Sequence, residues 1–591
     1  MIEQVEITLK SKSRSFHLVT NEILSQLPKL PKTGILQLLS DMKRRLILTM
    51  VLLISIVAGA KEKGTTVAHF SQFTYTGQDD YYRENPLTDA AQFYNPILPG
   101  WYSDPAICRV GEDYWLVTST FGYYPGVPLY HSRDLVNWQL VGNILCRPSQ
   151  LAYLKGQSID KGGIYAPTIA YNPQNQTYYM ITTDVGKGHF YVTTRDPWGE
   201  WSDPVFLPQI GGIDPAFFFD DDGQAYIVHK EDTEGQPKWS NHRSIRFIRF
   251  NVETGQTYGD DIPLREEGVG LEEQLPRDEG PHLYKIRGKY YLICAEGGTS
   301  WAHSEVAYKA DSVFGPYKRW PRSPMLTQRL RKAGAKYGVS CTGHADLVET
   351  PNGEWWAVFL GCRQWQDGTE QLGRETFMMP VKWSLDGYPY ITQTRDSIPL
   401  MLRREGVVRK EKTTYGNFAW NDDFSSSELR PEWLSLRGPL PVGCSQKKGL
   451  HLACSSETAR GTQTPAYLGR RIQHHKFTVE TTLSFSPTTG DAAGILIFKN
   501  EAHQYFLCVT TDGIALRRIN KRGFDILAQA PLAQSGTVNL KVVCRGLTYD
   551  FYYQPTGSDW LLLASDIDVR HVSSSVGGFT GTTIGLYAEH E

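Results

Sequence analysis

The sequence predicts an all-β protein, a five-bladed β-propeller followed by a jelly-roll β-sandwich, and three observations support this fold class. Five segments share one plan, in which a turn residue leads into an aromatic position and then an apolar β-run. No stretch of helical periodicity interrupts residues 95–395. Beyond residue 415 the chain alternates polar and apolar residues with the period of two that strands require.

The repeat has the composition expected of one propeller blade per unit. Gly, Asn or Asp chemistry suited to a hairpin turn precedes most of its strands, and a second short strand lies upstream of each, as in DPAICRV and DPAFFFD. Three to four short antiparallel strands repeated five times describe a five-bladed propeller. The aromatic positions of the five units are Trp115, Tyr179, Tyr226, Tyr291 and Trp356.

The N-terminal region is predicted to be an export signal rather than part of the fold. Basic residues at 43–45 precede an apolar run over 46–57 and an A-x-A cleavage pattern over 58–60. We therefore expect 42–60 to be a signal peptide and 1–41 an upstream over-extension, in a bacterial protein exported to the periplasm or outside the cell. Because the run is too short to span a bilayer comfortably, no stable membrane anchor is expected.

The rest of the chain divides into three predicted parts: a linker over 61–93, a propeller over 94–400 and a sandwich over 415–591. A net charge of -2 gives no polyanion-binding signature, so nucleic acid is not expected as a partner. The nine cysteines lack zinc-type spacing and are interpreted as mostly buried thiols.

Carboxylic acids collect at one position of the repeat. Counting back from the aromatic positions to the head of the preceding strand gives Asp104, Ala166, Asp214, Glu279 and His344. The innermost strands of a propeller begin near its axis, so these residues should surround one mouth of the channel. Taken singly, each acid could be a turn or loop residue; taken together, they suit either metal binding or a site that needs one protonated and one ionised acid, as glycoside hydrolysis does.

Six strings in order resemble glycoside hydrolase family 43: GWYSDPAI, TSTFGYYPGVPLYHSRDLVNW, GGIDPAFFFDDDG, EGPHLYK, GHADLV and LGRETF. That family comprises five-bladed propellers, typically β-xylosidases, α-L-arabinofuranosidases and arabinanases. The resemblance implies Asp104 as general base, Asp214 as the residue that tunes pKa and orientation, and Glu279 as general acid. It also implies inversion, with the acid and base about 6.5–9.5 Å apart.

The resemblance also implies a set of substrate contacts. Arg374 matches an arginine that contacts the innermost sugar, Phe121 and Tyr165 match pocket aromatics, and His344 matches a histidine near the axis. Tyr165 stands where family members often have Trp. No cofactor is expected to be required, although the match at His344 makes a structural calcium near this residue possible.

The C-terminal segment that starts FAWNDDFSSSELRPEWLSLRGP resembles the concanavalin-A-like domain of β-xylosidase-type members. Relatives usually continue with one more aromatic-rich strand, so we expect this domain to be truncated at its last strand. The pairing favours exo-acting hydrolysis of terminal pentosides, β-xylosides or α-L-arabinofuranosides, in xylan or arabinoxylan oligosaccharides and polysaccharides. The alternatives are an arabinan-degrading hydrolase, a fructan-type hydrolase and a non-catalytic carbohydrate-binding propeller.

Overall fold

The computed structural model describes residues 65–591 apart from 153, 233–242, 267–277, 332–336, 366–368, 393–395 and 533–535. It divides the chain into two units, 1–65 and 66–591. In the first unit only the backbone of two antiparallel strands is described, β1 (Leu36–Leu39) and β2 (Thr49–Leu52). The predicted over-extension and signal peptide otherwise lie outside the described residues. No helix in the described part of the chain is both long enough and apolar enough to cross a bilayer.

The second unit opens with the strand β3 (Val67–Gly77), the short helix α1 (Asp80–Glu84) and the strand β4 (Gln92–Tyr94). The strands that follow, up to residue 403, are β5 Ala106–Val110, β6 Asp113–Val117, β7 Tyr123–Tyr124, β8 Gly126–Ser132, β9 Gln139–Leu145, β10 Ile164–Asn172, β11 Thr177–Asp184, β12 Gly188–Thr194, β13 Val205–Phe206, β14 Ile213–Phe219, β15 Ala225–Asp232, β16 Arg243–Asn251, β17 Gln256–Glu266, β18 Glu279–Ile286, β19 Lys289–Glu296, β20 Ser304–Ala310, β21 Lys318–Arg319, β22 Leu326–Thr327, β23 Val339–Glu349, β24 Trp355–Arg363, β25 Glu375–Pro380, β26 Lys382–Trp383, β27 Pro389–Tyr390 and β28 Met401–Arg403.

Five consecutive antiparallel sheets are built from these strands. They are β5-β6-β8-β9, β10 to β13, β14 to β17, β18 to β21 with β22 paired to β20, and β23 to β25. The first strands of successive sheets lie side by side, and β23 of the fifth sheet also lies beside β5 of the first. The first strands of the five sheets, β5, β10, β14, β18 and β23, are thus each beside the next, and the last is beside the first.

The chain just after β4 joins the fifth sheet. The side chain of Asn95 donates to the carbonyl of Met378 at 2.9 Å and accepts from its N–H at 3.0 Å. Leu98 pairs with Thr376 of β25 in an antiparallel bridge. The fifth sheet consists of three strands, β23 to β25, and the segment that follows β4 lies next to the outer one, β25.

The C-terminal part of the unit is a pair of antiparallel sheets that enclose one apolar core. One sheet has the order β31-β32-β3-β34-β39-β40-β41, with β29 beside β3, and the other has the order β33-β42-β35-β36-β37-β38. The strands are β29 Ala419–Asp422, β30 Ser435–Leu436, β31 Ser445–Gln446, β32 Leu450–Ala453, β33 Ala466–Arg471, β34 Lys476–Phe485, β35 Asp491–Asn500, β36 His503–Thr510, β37 Gly513–Asn520, β38 Gly523–Ala530, β39 Gly536–Arg545, β40 Thr548–Pro555, β41 Leu561–Asp568 and β42 Thr583–His590.

The all-β prediction is confirmed, but the linker predicted over 61–93 is wrong. Strand β3 alternates buried and exposed positions and pairs with β34 over most of its length, in the middle of the first sandwich sheet. It is therefore a structural part of the C-terminal domain, although hundreds of residues separate the two in sequence. At the other end of the chain, β42 is paired on both sides, with β33 and with β35.

Candidate active site

The heads of the innermost strands share an uncommon backbone conformation. The pairing register breaks at the start of β10, β14, β18 and β23, which marks a bulge at each of these places. Within these breaks, positive φ is found at Ala166 (37°), Asp214 (58°), Gly280 (55°) and His344 (52°), among others, and Asp104 (53°) has the same conformation just before β5. In a non-glycine residue such a conformation costs on the order of 1–3 kcal/mol, and strain of this kind clusters at functional sites.

This column agrees with the one predicted from the repeat except at one place. The sequence comparison put Glu279 in the column, but the residue that shares the backbone conformation is the next one, Gly280. The difference arises because the spacing between strand head and aromatic position varies slightly from sheet to sheet. Glu279 thus precedes the residue with positive φ, whereas Asp104 and Asp214 have the positive φ themselves.

Asp104 is buried and held by three donors. Its Oδ2 accepts a hydrogen bond from Ser119 Oγ at 2.5 Å, and its Oδ1 accepts from Arg374 Nη1 at 3.1 Å and from His344 Nδ1 at 3.0 Å. Burial alone would raise the pKa of this carboxyl, but the Arg374 charge and the other two donors outweigh it and hold the pKa well below its usual range. Asp104 is therefore an ionised carboxylate, the form that can accept a proton from water.

Asp214 and Glu279 are brought together by Gly280. The N–H of Gly280 donates to Asp214 Oδ2 at 3.0 Å. A Cβ at position 280 would lie 1.9 Å from Cδ2 of His344, so only glycine fits between them. The close approach fixes Glu279, the preceding residue, beside both Asp214 and His344.

The two carboxyls of this pair have pKa values shifted in opposite directions. Burial raises the pKa of Asp214 by more than the nearby positive charges lower it. Burial would also raise the pKa of Glu279, but Lys230, whose Nζ donates to Glu279 Oε2 at 3.2 Å, contributes most to lowering it. Burial thus favours the protonated form of Asp214, whereas the charge of Lys230 favours the ionised form of Glu279.

His344 lies at the centre of the three acids. Burial alone would lower the pKa of its imidazole, but the three carboxylates outweigh burial and raise the pKa to about 9. His344 is therefore a cation at neutral pH, and its positive charge partly offsets three acids in one buried space. The carboxylates of three predicted site residues, Asp104, Asp214 and Glu279, all raise the pKa of this one imidazole.

The predicted substrate residues Arg374, Phe121 and Tyr165 lie together, but they have a partner that the sequence did not indicate. The ring of Phe579 stacks on Phe121 at 6.2 Å and meets Tyr165 edge-on at 5.8 Å. The guanidinium of Arg374 lies 5.5 Å from the Phe579 ring, and its Nη2 donates to the Phe579 carbonyl at 3.3 Å. Phe579 belongs to the loop that precedes β42, so the C-terminal domain contributes an aromatic ring to the candidate active site.

Ser119 and Lys230 were also missed, for different reasons. Ser119 lies within the string TSTF two residues before Phe121, a signal that could have pointed to it. Lys230 is near the end of β15 in the third sheet, and only the fold brings it to Glu279 of the fourth. Phe579 gave no local signal, because a single Phe after two glycines is typical of many loops.

The contacts of His344 do not favour the predicted calcium. Its Nδ1 donates to Asp104, and both oxygens of Asp104 are already bonded to protein donors. Among the described residues, the group of three potential ligands with donor atoms within 4.8 Å of one another is Cys341, Cys362 and Glu370. Two thiols and one carboxylate differ from the oxygen-rich set that calcium takes, so a calcium near His344 stays a prediction without support from these contacts.

The arrangement can carry out acid–base chemistry at the carbon–oxygen bond of an acetal, such as the bond that joins two sugars. The carboxylate of Asp104 and the pair Asp214 and Glu279 act on the ring of His344, and the guanidinium of Arg374 lies against the rings of Phe121 and Phe579. Flat rings and a guanidinium suit a sugar, whose faces are apolar and whose edges carry hydroxyls.

Comparison with known proteins agrees with this chemistry. Residues 93–389 match the model of glycosyl hydrolases family 43, and residues 421–591 match the β-xylosidase C-terminal concanavalin-A-like domain. A non-reducing end α-L-arabinofuranosidase of Bacteroides ovatus is 35% identical over 84% of this chain and 91% of its own length. A xylosidase/arabinosidase of Butyrivibrio fibrisolvens is 34% identical over 84% of this chain and 95% of its own length.

Solved structures give the same result. A family 43 subfamily 12 enzyme from a capybara gut metagenome superposes with a TM-score of 0.82 at 38% identity, over 89% of this chain and 100% of its own. A xylan β-1,4-xylosidase from Bacillus halodurans superposes with a TM-score of 0.74 at 31% identity, over 84% and 97% of the two chains. The chain therefore belongs to glycosyl hydrolases family 43 and is a glycosyl hydrolase.

Proposed function

We propose that this hydrolase removes terminal pentosides, β-xylosides or α-L-arabinofuranosides, from the ends or branches of xylan- or arabinoxylan-type glycans. The observation that carries the proposal is the three-acid cluster around His344 with one ionised member, Asp104. The relatives named above are arabinofuranosidases and xylosidases, which supports a pentose as the sugar. A pocket walled by Phe579 of the second domain suits a chain end better than the middle of a polymer.

In the proposed reaction, Asp104 accepts a proton from water as the water attacks the anomeric carbon, and Glu279 protonates the leaving oxygen. Both steps occur in one displacement, so the anomeric configuration inverts. Asp214 tunes the pKa of Glu279 through their shared environment. Lys230 opposes this role, because its charge lowers the pKa of an acid that must hold a proton. A sugar that excludes water around Glu279 would raise that pKa again.

The proposal extends to architecture and export. The five sheets would be the blades of a five-bladed propeller, which the cyclic adjacency of their first strands supports. The residues near 95–98 would complete the last blade by joining β25.

Export by the segment 42–60 would place the enzyme in the periplasm or outside the cell, where it encounters plant polysaccharides.

Hydrolysis of paired aryl β-xyloside and aryl α-L-arabinofuranoside substrates tests the proposal. We expect turnover of at least one substrate by the unmutated chain, and we expect Glu279→Ala to lower it. An aryl leaving group needs little protonation, so residual activity in the variant agrees with a general-acid role. Turnover of neither substrate by the unmutated chain would contradict the proposal and favour an arabinan-degrading enzyme or a carbohydrate-binding protein.

A further inference from the structure

A polar cleft of about 520 Å³ lies between the second sheet's approach loop and the C-terminal domain. Its lining includes Asp160 and Lys161, which precede β10, and Asn500 and Glu501, which lie at the turn between β35 and β36. The tip of the hairpin between β37 and β38 forms a further wall. None of these residues belongs to the acid cluster, so the cleft is a feature separate from the proposed catalytic groups.

The cleft shares a wall with the candidate active site. Val576 lines the cleft, and Phe579, three residues further on, packs against Phe121 and Tyr165. The N–H of Phe579 donates to the carbonyl of Asp160 at 3.0 Å. One short loop thus has the cleft on one side and the pocket on the other.

Most of the acidic groups in the cleft wall are already engaged. Glu501 accepts hydrogen bonds from the N–H of Ile159 at 2.9 Å and from Arg437. Asp160 accepts from Ser158 Oγ at 2.9 Å and from Asn500 Nδ2 at 3.1 Å. These bonds tie the two acids to the protein and reduce their repulsion of an incoming anion.

Three cations in the cleft wall have no acidic partner among the residues that the structure describes: Lys161, Lys521 and Arg522. All three are exposed. Lys521 and Arg522 are the two turn residues between Asn520 and Gly523, so the hairpin fixes their backbone against the cleft. A fourth cation, Arg460, is paired with Glu591. The cleft wall therefore carries positive charge that no acidic side chain of the described residues neutralises.

We infer that this cleft binds the carboxylates of an acidic oligosaccharide, a glycan bearing uronic acid units, whose non-reducing end enters the neighbouring pocket. Lysine and arginine side chains pair with carboxylates in charge-assisted hydrogen bonds. Glucuronic-acid-substituted xylan has these carboxylates together with a pentose end, whereas galacturonan has the carboxylates without a pentose end. The inference rests on the proposed function only for the position of the terminal sugar. The carboxylate site itself is inferred from the residues of the cleft.

Calorimetric titration of the full chain with three probes tests the inference. The probes are xylotetraose bearing one glucuronic acid, trigalacturonate, and neutral xylotetraose. We expect at least one acidic probe to bind about tenfold more tightly than neutral xylotetraose at low salt, and we expect this advantage to shrink at high salt because exposed charges are screened. The acidic probe that binds more tightly identifies the glycan; equal binding of both indicates recognition of the carboxylate itself.

The double variant Lys521→Ala with Arg522→Ala supplies the matched comparison. Loss of two exposed charge pairs should weaken the acidic probe by roughly three- to tenfold and leave neutral xylotetraose unchanged. Lys410→Ala with Lys412→Ala removes the same charge from exposed positions elsewhere and should change neither affinity. Equal binding of acidic and neutral probes, or equal loss in both double variants, would overturn the inference. Aryl pentoside hydrolysis by the unmutated chain tests the proposed function separately, because a failure there leaves the titration result standing.

Discussion

Replacing Lys230 with methionine should move the alkaline limb of the pH–rate profile to higher pH. Lys230 Nζ lies 3.2 Å from Glu279 Oε2, and the two side chains are only 12% and 14% exposed. Its positive charge lowers the pKa of Glu279. A general acid works only while protonated, so removing the charge raises the pKa and extends activity to higher pH. Methionine keeps the length of the side chain without its charge.

The size of this shift follows from the contact. Coulomb's law at 3.2 Å with an effective dielectric constant of about 20 gives an upper bound near 5 kcal/mol. Hydrogen bonds to charged groups contribute about 1.5–3 kcal/mol net. One pKa unit corresponds to about 1.36 kcal/mol, so the limb should rise by about 1–2 units.

The assay is the pH dependence of kcat/KM for a pentoside with a poor leaving group, whose hydrolysis needs the acid. Lys289→Met is the control, because Lys289 forms an ion pair with Asp311 on the surface and should leave the profile unchanged. If the alkaline limb of Lys230→Met stays in place or moves to lower pH, Glu279 is not a general acid whose pKa Lys230 lowers, and the assignment is refuted.

Three further outcomes are expected. Asp104→Asn should lower kcat by about 10²–10⁴-fold for good and poor leaving groups alike, since both need the base, and stopped assays on both substrate types would check this. Phe579→Ala should raise KM about two- to tenfold with little change in Tm, because each aromatic contact contributes about 0.5–1.5 kcal/mol and the ring is only half-buried. Gly280→Ala should lower activity by displacing the ring of His344, whereas Gly353→Ala, also at positive φ but with open space around it, should lower only stability in urea unfolding. Similar activities for the two glycine variants would contradict this explanation.

The all-β class and the three acids could be predicted from sequence because each depends on local pattern. A strand head, a hairpin turn and an aromatic position lie within about a dozen residues of one another, so the repeat aligned Asp104 with Asp214 directly. The same comparison misplaced Glu279 by one residue. Only the backbone conformation shows that Gly280, with its φ of 55°, takes the equivalent position.

The contacts that could not be predicted join distant parts of the chain. Val67–Gly77 falls in the predicted linker, because nothing nearby in the sequence indicates that it pairs with Lys476–Phe485. Phe579 and Phe121 meet only because the two domains pack together. Lys230 reaches Glu279 from an adjacent sheet, so the motif EGPHLYK does not contain the charge that lowers the pKa of Glu279.

The most direct test of the account compares two leaving groups in Glu279→Gln. The general-acid role predicts that the variant loses about 10²–10⁴-fold in kcat on a methyl pentoside, whose leaving oxygen must be protonated. A dinitrophenyl pentoside leaves without a proton and should lose much less activity. Equal losses on both substrates, or full activity on the methyl pentoside, would show that Glu279 is not the acid and would contradict the mechanism proposed for this site.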